Sequence, residues 1–221
     1  MIYYLLAPYL LHMITFWSLA GIFYLLDCKY LDEEHENWKN YSKAAKCSLA
    51  NQLFITLPLS FLLMNDFRYA INNSEYDSLS IIILKLFLIF ITTNILAYLS
   101  HYMLHTRFLF KLIHYKHHEF KDPIAVCAFY CHPIEHLVVN TLPLFLPIII
   151  FGIRYELFLL LIFIGSYGTV TAHVKYNSLF NKYDKIADIF ITKYHTTHHA
   201  SYKHNYGFHA LVDKLFGTFK K

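Results

Sequence analysis

Histidine is the residue whose number and spacing in this 221-residue chain point to chemistry, since 13 of its 15 histidines fall between His101 and His209. On a helix, residues three and four positions apart share a face, so closely spaced histidines direct their imidazoles toward one point. The clusters are HxxxH (His101 and His105), HxxHH (His114, His117 and His118), His132 with His136, a lone His173, and a second HxxHH (His195, His198 and His199). This pattern is typical of a metal site rather than of scattered core histidines.

The number of imidazoles indicates how many metal ions they could bind. Neutral imidazole suits zinc, copper, iron and nickel. A structural zinc site takes four protein ligands and a catalytic one three, so the eight histidines of the HxxxH and HxxHH motifs exceed the needs of one ion. We therefore predict two metal ions per chain, bound by the eight motif histidines together with His173.

The stretch from His132 to His136 allows more than one interpretation. Pro133 is expected to hold both histidines apart from a regular helix. Glu135 could be either a metal ligand or an acceptor that orients a ligand. The two histidines and Glu135 are therefore candidates for direct metal contact or for support of the ligands.

The remaining histidines and the absent motifs narrow the chemistry. We interpret His12, His35, His204 and His209, which stand outside the clusters, as core or interface residues. HExxH, GxSxG and GxGxxG motifs do not occur in the sequence. Zinc-protease, serine-hydrolase and nucleotide chemistry are therefore unsupported.

The composition indicates a membrane protein. Apolar residues make up 57% of the chain and charged residues only 15%, whereas a soluble domain carries about 25% charged residues. The net charge of +4 comes from basic residues spread along the chain, which argues against nucleic-acid binding. The four cysteines are too few for a disulfide scaffold, and we interpret them all as reduced thiols: Cys28, Cys47, Cys127 and Cys131.

Apolar runs long enough to cross a membrane precede the main histidine clusters. We predict full spans at residues 2–26, 47–64 and 79–99, and a short hairpin formed by residues 138–151 and 155–170. The first run lacks a basic start and a small-residue cleavage site, so we interpret it as a retained membrane helix. The sequence predicts an all-α integral membrane helical bundle of one domain, residues 1–221, with the spans in 1–99 and a catalytic region in 100–219.

The distribution of Lys and Arg predicts the orientation in the membrane. Residues 27–46 and the blocks from residue 100 onward are basic, whereas loop 65–78 contains Arg68 as its one basic residue. The positive-inside rule places the basic blocks in the cytosol, and the N-terminus and loop 65–78 outside or in the lumen. The clustered histidines then share the cytosolic face, where we expect a histidine-rich helical cap that holds the dimetal site.

The order of the motifs resembles a known family. HxxxH, HxxHH, HPxE and HxxHH are followed by NYG (Asn205, Tyr206 and Gly207) and by D-x-LFGT, which starts at Asp213. Over residues 100–219 this order resembles the fatty acid hydroxylase/sterol desaturase superfamily of membrane non-haem di-iron oxygenases. Within it, HHEFxxP and AxYxHPxExL look most like the 4-methyl sterol oxidases, and HTxHH with NYG is similar to sterol 5-desaturases.

The resemblance implies cofactors, partners and a location. It implies two iron ions per chain, which zinc could replace, and dioxygen as co-substrate. It further implies a lipid substrate, with a sterol favoured, and electrons from a cytochrome b5-type protein with an NAD(P)H reductase. The setting is the endoplasmic reticulum membrane in a eukaryote or the inner membrane in a bacterium. Asn205, Tyr206, Gly207 and Asp213 are expected to be structural motif residues.

The sequence departs from the family pattern at two positions. The sphingolipid fatty acyl hydroxylases usually carry a further HxxxH before the last motif, and here that region offers His173 and Asn177. Asn177 is therefore a further candidate for a metal ligand or a residue that supports one. Val212 stands where the family typically has Trp before the Asp.

Two alternatives differ from the hypothesis that the protein oxidises a sterol. The first keeps the di-iron chemistry but changes the substrate to a fatty acyl, sphingolipid or other lipid. The second is a non-catalytic metal-binding membrane protein, such as a transporter or a degenerate homologue. A transporter places ionisable residues inside its spans, but the first three spans hold little beyond His12, Lys85 and Asn94. A degenerate homologue is expected to have lost motif histidines, and all eight are present, so we favour an enzyme.

Overall fold

The computed structural model describes residues 3–31, 34–121, 123–174 and 192–220, with side chains except those of residues 4, 5, 27–38, 192 and 193. Asn177, and the side chains of Cys28 and His35, lie outside this described part. The helices of the described part are α1 (Tyr3–Leu31), α2 (Glu34–Asn51), α3 (Leu57–Leu62), α4 (Met64–Asn72), α5 (Leu79–Leu104), α6 (Arg107–Leu112), α7 (Pro133–Glu135), α8 (Leu142–Phe151), α9 (Tyr155–Thr171), α10 (Thr192–Ser201) and α11 (Ala210–Phe216). The predicted all-α fold is confirmed, because the described residues contain no strand.

Among the described residues, three helical stretches are long and apolar enough to cross a membrane: Leu6–Leu26, Leu79–Leu104 and Pro133–Phe151. A fourth candidate is the pair Lys39–Leu62 and Met64–Asn72, which is bent by 53°. The number of full spans agrees with the prediction, but their identity differs. The predicted second span, residues 47–64, lies in the bent pair, and the first arm of the predicted hairpin belongs to the third candidate span.

The extra length of the third span has its cause at Pro133. Proline is favoured at the first position of a helix, where its missing N–H is not needed. His132 caps this helix, because its Nδ1 accepts a hydrogen bond from the Ile134 N–H at 3.2 Å. Pro133 was expected to keep the stretch from His132 to His136 out of regular helix, but it starts the helical stretch that forms the third candidate span.

Two π-helical segments, Gln52–Thr56 and His136–Thr141, interrupt the α-helical geometry. Each is followed by a helix with a proline in its first turn, Pro58 in α3 and Pro143 in α8. Because proline has no N–H, the hydrogen bonds shift there to the i−5 carbonyl. The two segments also contact each other, with Thr56 Oγ1 2.8 Å from His136 Nε2.

The turn of the hairpin between α8 and α9 packs closely on α4. Gly152 has φ +67°, and a Cβ built there lies 2.5 Å from Ser74 Oγ and 2.7 Å from the Ala70 carbonyl oxygen. Glycine is therefore required both by the backbone conformation and by the lack of space. Beneath this turn an apolar cluster joins α4, α5, α8 and α9: Phe67, Ile71, Ile89, Phe145, Ile148, Ile153, Phe158 and Ile162.

A second apolar cluster lies beside the histidines and is built from α1, α2, α9 and the 3₁₀ segment Ala125–Phe129. Polar side chains of α2 anchor this segment by its backbone. Ser48 Oγ donates to the Val126 carbonyl at 2.7 Å, and Asn51 Nδ2 donates to the Phe129 carbonyl at 2.9 Å. The cysteines with described side chains are free thiols, as expected: Cys47, Cys127 and Cys131.

Candidate metal centre

The nine histidines predicted as ligands come together in two groups. The first, called the five-histidine group, comprises His101, His105, His114, His118 and His198. The second, called the four-histidine group, comprises His117, His173, His195 and His199. Within each group the ligand nitrogens all lie within 4.8 Å of one another. The predicted convergence of separate sequence blocks is therefore present, and each group could hold one metal ion.

Both HxxHH motifs divide their imidazoles between the two groups in the same way. The first motif, in the 3₁₀ segment His114–Glu119, contributes His114 and His118 to the five-histidine group and His117 to the other. The second motif, on α10, contributes His195 and His199 to the four-histidine group and His198 to the other. In each motif the pair four residues apart stays together and the middle histidine serves the neighbouring group, so the two groups share both motifs.

The spacing of the Nε2 atoms fits metal coordination. In the five-histidine group, the His114 Nε2 lies 3.1 Å from that of His101 and 3.0 Å from that of His118. In the four-histidine group, His195 Nε2 lies 3.0 Å from His173 Nε2 and 3.1 Å from His199 Nε2. A metal–nitrogen bond of about 2.1 Å separates neighbouring ligands by about 3.0 Å at a right angle and about 3.4 Å at the tetrahedral angle. The observed spacing therefore matches that of ligands around one metal ion.

The imidazoles are in the neutral state that binds metal. Burial, with the neighbouring His101, lowers the pKa of His105 to about 3 and that of His173 to about 4. Burial and the surrounding imidazoles also hold the pKa of His117 and His198 well below the usual range. A histidine must lose its proton to coordinate a metal, and these residues need no metal to do so at neutral pH.

A short loop after α10, residues 202–207, orients the five-histidine group. When a carbonyl accepts the Nδ1–H of a histidine, the Nε2 lone pair is left free for the metal. The loop supplies two such partners: Tyr206 O for His101 at 2.7 Å and His204 O for His198 at 2.6 Å. Two of the five imidazoles therefore depend on the path of one loop.

The conformation of this loop is fixed by Asn205. Tyr202 and Asn205 have positive φ angles of 57° and 62°. Asn205 is fully buried, and its Nδ2 donates to the Tyr194 carbonyl at 3.0 Å and the Lys220 carbonyl at 2.8 Å. Its Oδ1 accepts from the Lys220 N–H at 2.8 Å. The Asn of the NYG motif thus ties the loop to α10 and to the end of the described chain.

Asp213, on α11, holds the same loop from the other side. This buried carboxylate accepts the backbone N–H groups of Tyr206 and Gly207, both at 2.8 Å, and the hydroxyl of Tyr194. A Cβ at Gly207 would lie 3.0 Å from Asp213 Oδ2, so a side chain is poorly accommodated there. The carboxylate also accepts from Thr218 Oγ1 at 2.7 Å. The four residues expected as a structural motif form one hydrogen-bonded unit next to the ligands.

The other predicted site residues occupy different places. Glu135 is 2% exposed, and its Oε1 lies 2.8 Å from His114 Nδ1, so it contacts a member of the five-histidine group. His132 caps α7, and His136 contacts Thr56, so neither belongs to the groups. Asn177 lies outside the described residues.

A cavity of about 430 Å³ adjoins both groups. His101 of the five-histidine group and His117 of the four-histidine group both line it. The rest of its wall is largely apolar and includes residues of α5, α8 and α9: Leu86, Ile89, Phe90, Leu144, Phe145, Phe158, Leu161 and Ile162. Its size lies in the range of small-molecule sites. An apolar molecule in this cavity would lie between the spans with one end against the histidines.

The positions of some residues around the site could not be predicted from the sequence. His12 lines the cavity, with Nδ1 2.8 Å from Ser166 Oγ and Nε2 3.1 Å from Gln52 Nε2. Both ring nitrogens have partners, as expected of an interface histidine. The loop carbonyls that orient the ligands were also missed, since backbone groups leave no mark in a side-chain motif. The NYG and D-x-LFGT motifs were the indirect signal for them.

Comparison with known proteins identifies the family to which this chain belongs. The sequence model of the fatty acid hydroxylase family, described as "Fatty acid hydroxylase", matches residues 86–218. This range contains all nine clustered histidines, the 202–207 loop and Asp213. No solved structure matches the chain significantly.

Three relatives illustrate the range of similarity. "Fatty acid hydroxylase domain-containing protein 2" from Homo sapiens is 28% identical over 77% of this chain and 49% of its own length. "Methylsterol monooxygenase 1" from Gallus gallus is 25% identical over 96% of this chain and 73% of its own length. "Fatty acid hydroxylase ahd1" from Mycosarcoma maydis is 35% identical over 56% of this chain and 30% of its own length. The chain thus spans about half the length of the human relative.

Proposed function

Because the chain belongs to the fatty acid hydroxylase family, we propose that it is a di-iron membrane enzyme that uses dioxygen to oxidise a C–H bond of a lipid. A sterol is the favoured substrate. The observation that carries this proposal is the position of the two histidine groups at one end of an apolar cavity between membrane helices. A lipid can reach such a cavity from the bilayer, and its reacting carbon then lies beside both groups.

Iron is the metal that suits this chemistry. The five-histidine group would hold one ion and the four-histidine group the other, and zinc could take their place. Bound iron supplies the activation of dioxygen that an unreactive C–H bond requires. Hydroxylation consumes one dioxygen, two electrons and two protons per lipid, and gives the alcohol and one water; desaturation gives the alkene and two waters. The electrons would come from a cytochrome b5-type protein and an NAD(P)H reductase.

The residues of this chain contribute positioning and exclusion of water. The 202–207 loop and Glu135 keep the imidazoles oriented before any substrate enters. The apolar cavity wall removes water from the lipid and aligns it along the membrane helices. Tight positioning of this kind accounts for a large part of catalytic rate, since a misplacement of about 1 Å can cost about 100-fold.

The share of this chain that aligns with each relative supports a sterol as the substrate. The methylsterol monooxygenase from Gallus gallus aligns with 96% of this chain. The fatty acid hydroxylase from Mycosarcoma maydis, although more similar, aligns with 56% of it. A fatty acyl or sphingolipid hydroxylase is the second candidate within the same chemistry. The endoplasmic reticulum, or the inner membrane in a bacterium, is the proposed location, with the histidines facing the cytosol.

Lipid profiling of cells with and without the protein tests the proposed function. We expect cells that lack the protein to accumulate a sterol. This sterol should have one hydroxyl group or one double bond fewer than the product found in the complemented cells. Complementation with a His117→Ala variant should leave that accumulation in place. A lipid profile that does not change in any class, with protein present in the membrane, would contradict the enzymatic proposal and favour a non-catalytic metal-binding protein.

A further inference from the structure

The wall of the cavity contains two polar side chains on α5 without a full set of hydrogen-bond partners. Asn94 is 2% exposed, and its Nδ2 donates to the Phe90 carbonyl at 2.8 Å, whereas its Oδ1 has no partner. The neighbouring Thr93 Oγ1 is also buried and without a partner. Both residues line the cavity. A buried polar atom without a hydrogen bond costs free energy, and no water is available in the bilayer core to compensate.

These side chains are aligned with the metal centre along one helix. Asn94 and His101 are seven residues apart on α5, which corresponds to about two turns and about 10 Å along the helix axis. Both residues are buried, and both line the same cavity. A molecule that extends along α5 from the histidines therefore passes Asn94.

The chemistry of the pair favours an alcohol. The amide of Asn94 has a defined orientation because Nδ2 is used by Phe90, so Oδ1 offers an acceptor. The hydroxyl of Thr93 can donate. Ser60, a further hydroxyl on the cavity wall, already donates to the carbonyl of Thr56 at 2.7 Å. A hydroxyl group can donate to Asn94 Oδ1 and can accept from Thr93 Oγ1, so it suits either of the two atoms that lack a partner.

We infer that the substrate is a lipid with a hydroxyl group and that Asn94, assisted by Thr93, binds this hydroxyl about two helical turns from His101. The inference rests on the proposed function, since it takes the cavity as the substrate site. A lipid held in this way has its hydroxyl bound to the same helix that carries His101, so its position along α5 relative to the histidines is fixed.

Equilibrium binding tests the inference without turnover. The full-length protein is reconstituted in nanodiscs, without oxygen and without an electron donor, and titrated with two pairs of radiolabelled probes. The pairs are cholesterol with 5-cholestene, and octadecanol with octadecane, so that each pair differs by one hydroxyl group. We expect the wild-type protein to bind the alcohol of at least one pair about 3- to 10-fold more tightly, as one neutral hydrogen bond allows.

Variants assign the preference to the two residues. Asn94→Leu should remove the preference for the alcohol, and Thr93→Val, which keeps the shape of the side chain, should reduce it. Ser60→Ala is the matched control, because this hydroxyl lines the same cavity but is bonded within its own helical stretch; the preference should persist. Thermal unfolding verifies that each variant is folded. If Asn94→Leu is not folded, the result for Thr93→Val decides whether the inference holds.

Two results would overturn the inference. One is equal binding of alcohol and hydrocarbon in both pairs, or no binding of either pair, by the wild-type protein. The other is a preference that survives in the folded Asn94→Leu variant. Neither result contradicts the proposed oxidation, which is tested separately by turnover and lipid profiling. Conversely, a hydroxyl preference without turnover would leave the binding site in place and contradict the enzyme proposal.

Discussion

At the scale of single residues, the metal centre depends on which neighbour each imidazole faces. In both HxxHH motifs the first and last histidines belong to one group, and the middle histidine belongs to the other. A single motif therefore contributes imidazoles to both groups. Side chains around the motifs then decide how firmly each ring is held.

Each of the eight motif histidines should be essential. We expect any one of them, changed to Ala, to lower turnover by more than about 100-fold, because a ligand lost from such a site misplaces the metal beyond what catalysis tolerates. The protein should remain in the membrane in similar amount. Turnover in membranes and metal analysis of the purified variants measure this. His117→Ala and His118→Ala are an informative pair, since they remove adjacent residues from different groups.

The control for this series is His132→Asn. His132 lies in the same region but caps α7 and belongs to neither group, and asparagine is a good N-cap residue. Near wild-type activity is expected. If His132→Asn abolishes turnover while His117→Ala retains it, the two groups are not the metal centre.

Glu135 should matter through His114. Its Oε1 lies 2.8 Å from His114 Nδ1 in a fully buried setting. Removal of a carboxylate that orients a ligand typically costs about 10- to 100-fold in metal affinity or activity, and we expect this for Glu135→Leu. Glu119→Gln is the comparison, because Glu119 is a partly exposed carboxylate bonded to Lys43 and Tyr130. Metal affinity that is equal in the two variants would rule out a specific role for Glu135.

At the scale of elements, the 202–207 loop is the connection between the end of the chain and one of the two groups. Its carbonyls bond histidines of the five-histidine group, whereas His173 and His199 of the other group bond Thr169 O at 2.8 Å and Phe120 O at 3.1 Å. The loop can therefore affect one group without the other.

Asp213→Asn should lower metal occupancy selectively. The Asp213 carboxylate accepts the Tyr206 N–H at Oδ1, and the Gly207 N–H and the Tyr194 hydroxyl at Oδ2. Asparagine keeps one acceptor oxygen and replaces the other by an NH2 group, which cannot accept a backbone N–H. We expect the loop to shift and the metal content to fall from about two ions per chain to about one, with the four-histidine group still loaded. Metal analysis after dialysis measures this. Lys214→Ala, an exposed neighbour on α11, should keep both ions; loss of both ions in Asp213→Asn would show that the groups are not independent.

The hairpin turn is a separate test of the helical packing. Gly152→Ala places a methyl group against Ser74 and the Ala70 carbonyl in a backbone conformation with φ +67°. We expect a loss of at least about 1 kcal/mol in the free energy of unfolding, seen as a lower midpoint in thermal unfolding of the purified protein. Gly21→Ala is the control, because nothing lies within 4 Å of a Cβ there. An unchanged midpoint in Gly152→Ala would mean that the turn does not pack on α4 as described.

The sequence predicted elements whose pattern lies in side chains and missed those that depend on the backbone. The apolar run before His101 and the spacing of HxxHH were sufficient to predict α5 and the convergence of the ligands. The role predicted for Pro133 was wrong. A proline can break a helix or begin one, and the capping residue in front of it distinguishes the two cases. The loop carbonyls and the division between groups were not predictable, because both depend on tertiary contacts.

At the scale of the whole molecule, the candidate site requires that distant parts of the chain lie on one side of the membrane. α5 contains 26 residues, which corresponds to about 39 Å and exceeds the hydrocarbon thickness of about 30 Å. We therefore expect its start at one surface and His101 near the other. His198 of α10 contacts His101 of α5, with ring centroids 4.5 Å apart, so we expect α10 at the same surface as the end of α5.

Cysteine labelling tests this arrangement directly. Tyr115 and Lys203 are exposed residues next to the two HxxHH motifs, and Asn73 is an exposed residue before the start of α5. Single cysteines are placed at these positions in a background without Cys28 and Cys47, and sealed vesicles are treated with a maleimide that cannot cross membranes. The cysteines at 115 and 203 should react from the same side, which the positive-inside rule makes the cytosolic one, and the cysteine at 73 should react from the other. Labelling of 115 and 203 from opposite sides would exclude a shared metal centre, whereas labelling of 73 together with 115 would mean that α5 does not cross the membrane.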